Sequence, residues 1–162
     1  FVELFKSTKG MCLVWCSGQN IDRIVTAYKA CKIAGRQFIA DMYTAEILRA
    51  TENPNLPQGH WNGIKVFLPK SQKYRVIQQK LFDMSNQYKP YRIYPENLPQ
   101  EASNSAMIFR PSMFKDLEEA GCLDHSSLAY SLWEGYLKMD QQKEFLDKLE
   151  KHRIEMKLIH LK

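Results

Sequence analysis

Two hydrophobic periodicities alternate near the start of the chain. Residues 11–16 form a continuous apolar run, which is typical of a strand buried on both faces of a parallel sheet. From Ile21 the apolar residues recur at three- and four-residue steps, a spacing that indicates one face of a helix. Gly35 stands where a helix commonly ends in the left-handed conformation. Residues 36–40 form a second predicted strand, which ends at Asp41.

The same alternation continues to the end of the chain, interrupted by a Pro- and Gly-containing surface loop at 51–63. Further strands are predicted at 64–68, around 92–93, and at 106–109, 128–133 and 153–159, and further helices from residue 44 and at 71–87, 113–120 and 140–152. This order predicts an α/β fold: a doubly wound, mainly parallel sheet with helices on both faces, in the three-layer arrangement of Rossmann-like and flavodoxin-like proteins. We expect a single domain over residues 1–162. The opening stretch FVELFK has the pattern of a helix interior, which indicates a piece of a longer chain.

The composition is that of a soluble globular protein, with 44% apolar and 25% charged residues. No apolar run approaches the ~18 residues that a membrane span needs, so no membrane partner is expected. No cysteine pair has CxxC spacing, which favours buried thiols in a reducing, cytoplasmic location. The four are Cys12, Cys16, Cys31 and Cys122. The net charge of +5 favours polyanionic partners.

Polar residues follow several of the predicted strands. In a parallel α/β sheet the carboxyl ends of the strands gather along one edge, and ligands bind outside that edge. The sequence therefore predicts a shared binding surface there. Its substrate- or phosphate-binding residues would be Ser17, Gln19, Asn20, Arg110, Ser112 and Trp133, with Asp41 as the acidic residue.

Most of these residues also have a simpler interpretation. Residues 17–20 precede a helix, where they either cap its first turn or contact a phosphate at its N-terminus. Asp41 is either an acid–base group or the N-cap of the helix that begins near Thr44. Arg110 is either a planar fork for two phosphate oxygens or an ordinary surface arginine.

A basic segment lies between residues 65 and 92. It carries seven Lys or Arg residues and one acidic residue, with tyrosines interleaved. Such a segment either binds a phosphate backbone while its aromatic rings stack on bases, or forms a solvated helix face. The candidate basic patch is Lys70, Lys73, Arg75 and Lys80.

The sequence predicts no metal site in this chain. Its four histidines are scattered, without the spacing of metal ligands. It also has no glycine-rich phosphate-binding motif and no nucleophile motif. The chain itself is therefore expected to hold no cofactor.

Residues 16–46, CSGQNIDRIVTAYKACKIAGRQFIADMYTAE, resemble the opening of the β-CASP domain. That domain is inserted in metallo-β-lactamase-fold nucleases, which include ribonuclease J-like enzymes and the cleavage factors of RNA 3′-end processing. The matching residues are 20–24, 34–36 and Asp41. The later segments 131–138 and 148–160 are also similar to bacterial members.

The resemblance implies a cap domain over the active site of a zinc-dependent hydrolase, with a cleft for single-stranded RNA or DNA. The zinc and its bound hydroxide would belong to the metallo-β-lactamase domain of the parent enzyme, which would be this chain's partner. Asp41 falls on an acidic motif of the family, as a supporting catalytic residue in the parent. The chain alone is expected to be catalytically inactive. Where the family has an SGH-like segment after the last strand, this sequence has His160, Leu161 and Lys162.

Two other classes of function fit the same residues. One is a flavodoxin-like or Rossmann-like module that binds a nucleotide or small anion at the strand ends, because a fold alone does not fix a function. The other is a protein-interaction cap without affinity for nucleic acid. An HxHxDH segment upstream of Phe1 would identify the nuclease family, and salt-dependent binding of single-stranded RNA would argue against the interaction cap.

Overall fold

The structure, a computed structural model, describes residues 1–159. These residues form a seven-stranded sheet in the order β4-β3-β2-β5-β1-β6-β7, and every neighbouring pair is parallel. The strands are β1 (Cys12–Trp15), β2 (Gln37–Asp41), β3 (Ile64–Phe67), β4 (Arg92–Ile93), β5 (Ser105–Phe109), β6 (Ser127–Tyr130) and β7 (Glu155–Leu158). The helices are α1 (Val2–Ser7), α2 (Ile21–Ala34), α3 (Met42–Ala50), α4 (Lys70–Gln78), α5 (Phe82–Asn86), α6 (Leu98–Glu101), α7 (Phe114–Ala120) and α8 (Lys143–Lys151). The predicted doubly wound α/β fold is confirmed.

The central strand β1 explains why the apolar run at its position is continuous. It pairs with β5 on one side and β6 on the other. Leu13 and Trp15 face a core that includes Phe114 of α7, whereas Val14 faces a second core that includes Ile24 of α2. Because both faces of the sheet are covered by helices, neither face of this strand needs a polar residue.

The helix that follows β1 begins and ends where the sequence indicates. The Asn20 side chain accepts a hydrogen bond of 3.2 Å from the backbone N–H of Arg23, which satisfies one of the free donors at the start of α2. At the other end Gly35 has a φ of 73°, a conformation that glycine adopts without steric cost.

Two predicted elements have different bounds in the structure, and both differences affect the candidate site. The helix predicted at 71–87 is two helices, α4 and α5, because Lys80 adopts a left-handed φ of 54° between them. The strand predicted at 128–133 ends at Tyr130, so Trp133 lies in the following loop. An apolar run can continue beyond the last residue that pairs in the sheet, and hydrophobicity alone does not mark that point.

The C-terminal elements are shorter than their patterns predict. The helix predicted at 140–152 begins with a 3₁₀ turn over Asp140–Gln142, before α8. Arg153 has a φ of 56°, so the strand predicted from that residue starts only at Glu155. The expectations about His160 and its two successors fall outside the described residues. In residues 1–159, no helix combines the length and the apolar character of a membrane span.

The order of the strands creates a crevice at the carboxyl edge of the sheet. Strand β5 lies between β1 and β2. After β1 and β2 the chain continues into α2 and α3, whose Ile24 and Leu48 belong to one core, while after β5 it continues into α7, whose Leu117 belongs to the core on the opposite face. Connections that diverge in this way leave room for a ligand between them.

Candidate functional site at the carboxyl edge

Asp41 ends β2 and is completely buried, with 0% of its surface exposed. One carboxylate oxygen, Oδ2, accepts a hydrogen bond of 3.3 Å from the backbone N–H of Thr44, and the other, Oδ1, accepts one of 2.6 Å from the Thr44 hydroxyl. Asp41 is therefore the N-cap of α3. The capping role, one of the two interpretations of the sequence, is present.

Capping is only part of what Asp41 does. Its Oδ2 also forms an ion pair with the guanidinium of Arg110, which follows β5, and accepts a hydrogen bond of 2.8 Å from the side-chain amide of Gln72 on α4. Both carboxylate oxygens are therefore occupied by donors from three other residues. A carboxylate so fully engaged holds the Arg110 guanidinium in one orientation.

Gly18 makes the space that Arg110 occupies. A Cβ atom at this position would lie 2.8 Å from Nη1 of Arg110 and 3.2 Å from the ring of Tyr43. The Arg110 guanidinium carbon lies 5.4 Å from the centre of the Tyr43 ring, within the range of a cation–π contact. Its Nη1 is buried and has no hydrogen-bond partner among residues 1–159. Arg110 thus keeps unused hydrogen-bonding capacity, and 24% of its side chain is exposed.

We call the residues that meet here the strand-end cluster: Gly18, Asp41, Tyr43, Gln72 and Arg110. Two further hydrogen bonds tie the cluster together. The Gln19 side chain donates one of 3.1 Å to the Tyr43 hydroxyl, and the Tyr43 backbone N–H donates one of 2.9 Å to Gln72. The loops after β1 and β5, the end of β2 with the first turn of α3, and the start of α4 therefore converge around one guanidinium.

A second contact joins the first turn of α2 to the residue that follows β6. The Arg23 guanidinium donates a hydrogen bond of 2.8 Å to the Ser131 hydroxyl, which in turn donates one of 3.0 Å to the carbonyl of Ile159. The buried Tyr130 hydroxyl donates a hydrogen bond of 2.7 Å to the carbonyl of Trp133. These bonds fix the backbone of the loop that carries Trp133.

Trp133 presents an aromatic surface to solvent. Trp133 is 67% exposed, and its ring contacts that of Tyr136 edge to face, with 5.3 Å between the ring centres. Gly135 lies directly under the indole, because a Cβ there would come within 2.3 Å of it. The loop therefore fixes the position of an exposed aromatic pair.

The structure brings together only some of the predicted site residues. Asp41 and Arg110 belong to the strand-end cluster, and Gln19 donates a hydrogen bond to its Tyr43. Ser17 has a local contact, since its hydroxyl accepts a hydrogen bond of 3.2 Å from the backbone of Gln19, and Asn20 caps α2. Ser112 is exposed and lines a separate shallow depression of about 200 Å³ beside α8.

The four residues of the basic patch have different surroundings. Lys70 is already neutralised, because its ammonium lies 2.5 Å from a carboxylate oxygen of Glu119, and its backbone N–H donates a hydrogen bond of 2.8 Å to Asp116. Lys73, Arg75 and Lys80 are exposed, as both interpretations of the segment expect. Of the four, Arg75 lines a cavity.

That cavity lies beside the strand-end cluster, between α3 and the pair α4–α5, and has a volume of about 550 Å³. Tyr43, Gln72 and Arg110 of the cluster contribute to its wall. No local pattern in the sequence indicates Gln72, because its contact with Asp41 spans 31 residues. Tyr43 could have been included by the strand-end rule, since it stands two positions after the end of β2.

Within residues 1–159 the side chains that commonly bind metals are dispersed, and the thiols are buried. No group of three or more His, Cys, Asp or Glu side chains suited to a metal ion occurs among those residues. All four cysteines are buried and free. Burial raises the pKa of Cys16 and of Cys122 to about 11, so these thiols stay protonated at neutral pH and are poor nucleophiles.

Neither a scan against protein-family models nor a search of curated proteins found a match to this chain. The resemblance to the β-CASP domain therefore stays a hypothesis that rests on the motif residues.

Proposed function

We propose that the chain is the cap domain of a zinc-dependent metallo-β-lactamase-fold nuclease, which binds single-stranded RNA or DNA at the carboxyl edge of its sheet. One observation carries the proposal: Asp41 holds the Arg110 guanidinium in the crevice between the diverging strand-to-helix connections, and part of the Arg110 side chain stays exposed. This is where ligands bind in open α/β sheets.

The chemistry of Arg110 suits a phosphate. A guanidinium is planar, stays charged at every physiological pH and presents donors in a fixed fork. Only Nη2 is used in the ion pair with Asp41, so the group has further donors. Because Asp41 is held by Thr44 and Gln72, Arg110 is oriented before any ligand arrives, which lowers the entropic cost of binding.

Trp133 supplies a second kind of contact. Aromatic rings stack on unpaired bases of any sequence, and each such contact contributes about 1–3 kcal/mol. The loop after β6 holds the exposed pair of Trp133 and Tyr136 at the same edge of the sheet as Arg110. A phosphate contact and a base contact on one edge favour a single strand over a duplex.

Hydrolysis would depend on the partner domain. Zinc would activate water in the adjoining metallo-β-lactamase domain, and the described residues of this chain do not form a zinc site. The proposal therefore assigns this chain substrate binding alone, with Asp41 as a positioning residue for Arg110. A cytoplasmic enzyme agrees with four free cysteines.

The test is the binding of a fluorescently labelled single-stranded RNA to the chain at several salt concentrations. The informative variant is Asp41→Asn with Arg110→Gln, because it removes both charges of the buried pair and leaves neither unpaired. Lys6→Gln is the control, since Lys6 is exposed on α1, which leads into the amino end of β1. Circular dichroism checks that each variant is folded.

We expect the double variant to bind RNA about tenfold more weakly, with a log–log salt slope reduced by about 0.7 for each phosphate that the protein no longer neutralises. Lys6→Gln should stay within twofold of the wild type. Equal effects of the two variants would contradict the assignment of Arg110, and an absence of salt-dependent binding in the wild type would favour the protein-interaction cap.

A further inference from the structure

The cavity beside the strand-end cluster has the dimensions of a small-molecule site. Its volume of about 550 Å³ falls within the ~300–1,000 Å³ that is typical of ligand pockets. It is open to solvent between α3 and the pair α4–α5. Nothing in the proposed nuclease function requires a cavity on this side of the cluster.

One wall of the cavity is apolar. Met42 and Val76 are buried in a core cluster shared by α3, α4 and β3, and Leu81 and Met84 are partly buried against it. The left-handed turn at Lys80 separates α4 from α5 and so keeps this wall from being covered by one continuous helix. Flexible thioether side chains adapt to planar or aliphatic ligands.

The carboxylate of Glu46, which lines the cavity, is already paired with hydrogen-bond donors. Glu46 accepts hydrogen bonds from the guanidinium of Arg49 at 2.7 Å, from the Tyr88 hydroxyl at 2.6 Å and from the Gln87 amide at 3.0 Å. Burial alone would raise the pKa of Glu46, but the hydrogen bonds from Arg49 and Tyr88 outweigh it, so the pKa is lowered and the carboxylate stays charged. A cationic ligand therefore finds no free carboxylate here.

Arg75 leaves the cavity with a net positive charge. Its guanidinium has no ion pair and no side-chain hydrogen bond within residues 1–159. The other arginine of the wall, Arg110, is balanced by Asp41. Uncharged polar groups on the same rim are those of Ser71 and Gln79.

We propose that this cavity binds a small amphipathic anion, with a planar or apolar body against the Met42–Val76 wall and one phosphate or carboxylate at Arg75. A nucleoside monophosphate has this chemistry and a suitable size. The proposal does not depend on the binding of RNA or DNA.

Gln72 couples such a ligand to the strand-end cluster. It lines the cavity, donates to Asp41 at 2.8 Å and accepts from the backbone of Tyr43 at 2.9 Å. A ligand that contacts Gln72 therefore touches the group that helps to orient Arg110. Occupancy of the cavity and binding at the strand ends are expected to influence each other by thermodynamic linkage.

The test is isothermal titration calorimetry of the chain with AMP, with adenosine and with inorganic phosphate. AMP should bind at one site and at least about tenfold more tightly than either fragment, because only AMP uses both the apolar wall and Arg75. Arg75→Gln should weaken AMP by about tenfold, which is the effect of removing one charge-assisted hydrogen bond. Lys73→Gln is the control, since it makes the same change of charge on the exposed surface of α4 outside the cavity.

A second variant, Gln79→Tyr, places a larger side chain on the rim and should also weaken AMP, while circular dichroism confirms folding. The proposal is overturned if AMP binds no better than phosphate, or if Arg75→Gln and Lys73→Gln have equal effects. Neither result bears on the affinity of the wild type for single-stranded RNA, so the proposed nuclease function is judged separately.

Discussion

Arg36 and Arg110 stand at opposite edges of the same sheet and differ in how completely they are bonded. Arg36 donates hydrogen bonds to four backbone carbonyls, those of Phe5, Thr8, Gly10 and Ser105. Arg110 has one ion pair and one buried nitrogen without a partner among residues 1–159. A guanidinium saturated by carbonyls has little left for a ligand, whereas an oriented but under-bonded one is suited to binding.

The contacts of Arg36 indicate a structural role for one of the motif residues. Arg36 belongs to the segment 34–36 that resembles the β-CASP domain, yet its contacts join the N-terminal loops to the start of β5. Its contribution is therefore to stability at the amino edge. The proposed phosphate contact is made by Arg110, which lies outside the motif segments.

The largest expected effect is that of Arg36→Ala. The change leaves four carbonyls without their charged donor, so we expect a loss of about 3 kcal/mol in the free energy of unfolding. For a domain of this size that corresponds to a melting temperature lower by about 6–12 °C. Thermal unfolding measures it, with Lys29→Ala on the exposed side of α2 as control. Below its melting temperature the variant should bind RNA like the wild type, and selective loss of RNA affinity would break the comparison.

Two glycines sharpen the same contrast. A Cβ at Gly10 would lie 2.1 Å from the backbone oxygen of Asp124, whereas a Cβ at Gly18 would meet only the side chains of Arg110 and Tyr43. Because backbone yields less easily, Gly10→Ala should cost about 3 kcal/mol of stability and Gly18→Ala less than about 1 kcal/mol. Gly18→Ala should instead weaken RNA binding, because it displaces Arg110. Denaturant unfolding and RNA titration of both variants measure this, and a reversed order of stabilities would contradict it.

Asp41→Asn separates capping from the orientation of Arg110. Asparagine caps a helix about as well as aspartate, so a role in capping alone predicts almost no loss of stability. The ion pair predicts a loss of about 2 kcal/mol, because Arg110 is left partly buried without its partner. In the double variant with Arg110→Gln, most of the lost stability should be recovered. Urea unfolding of the wild type, Asp41→Asn, Arg110→Gln and the double variant gives the answer, and additive losses would show that the two residues act independently.

The smallest expected effect is that of Trp133→Ala on RNA binding. Removal of one stacked ring should weaken binding by about 1 kcal/mol, or about fivefold. The matched control is an abasic strand of equal length and charge, for which wild type and variant should bind alike. A similar loss of affinity for both strands would mean that Trp133 supports the loop rather than a base.

The regular part of the fold could be predicted because each element leaves a local pattern. Buried strands such as β1 are continuous apolar runs, and α2 carries a cap at Asn20 and a stop at Gly35. The break between α4 and α5 at Lys80 could not be predicted from the sequence, because neither glycine nor proline marks it. The predicted end of β6 was wrong for a related reason: apolar residues, Leu132 and Trp133, occur again after Ser131, beyond the last paired residue.

The sequence predicted where the candidate site lies, but not which of its residues contact one another. The strand-end rule selected both Asp41 and Arg110, because it depends only on the parallel order of the strands. Their ion pair joins residues 69 positions apart, and no local pattern contains such a contact. The same holds for Gln72, which reaches Asp41 from a helix that follows a different strand.

The central claim is that the carboxyl edge binds nucleic acid and the amino edge does not. The most direct measurement is a titration of the ¹⁵N-labelled chain with single-stranded RNA, followed by amide chemical-shift changes. We expect the chemical-shift changes to concentrate at residues 17–20, 41–43, 110–112 and 131–136, with little change at 8–10, 36 and 124–126. Shifts concentrated at the amino edge, or spread evenly over exposed lysines, would contradict the central claim.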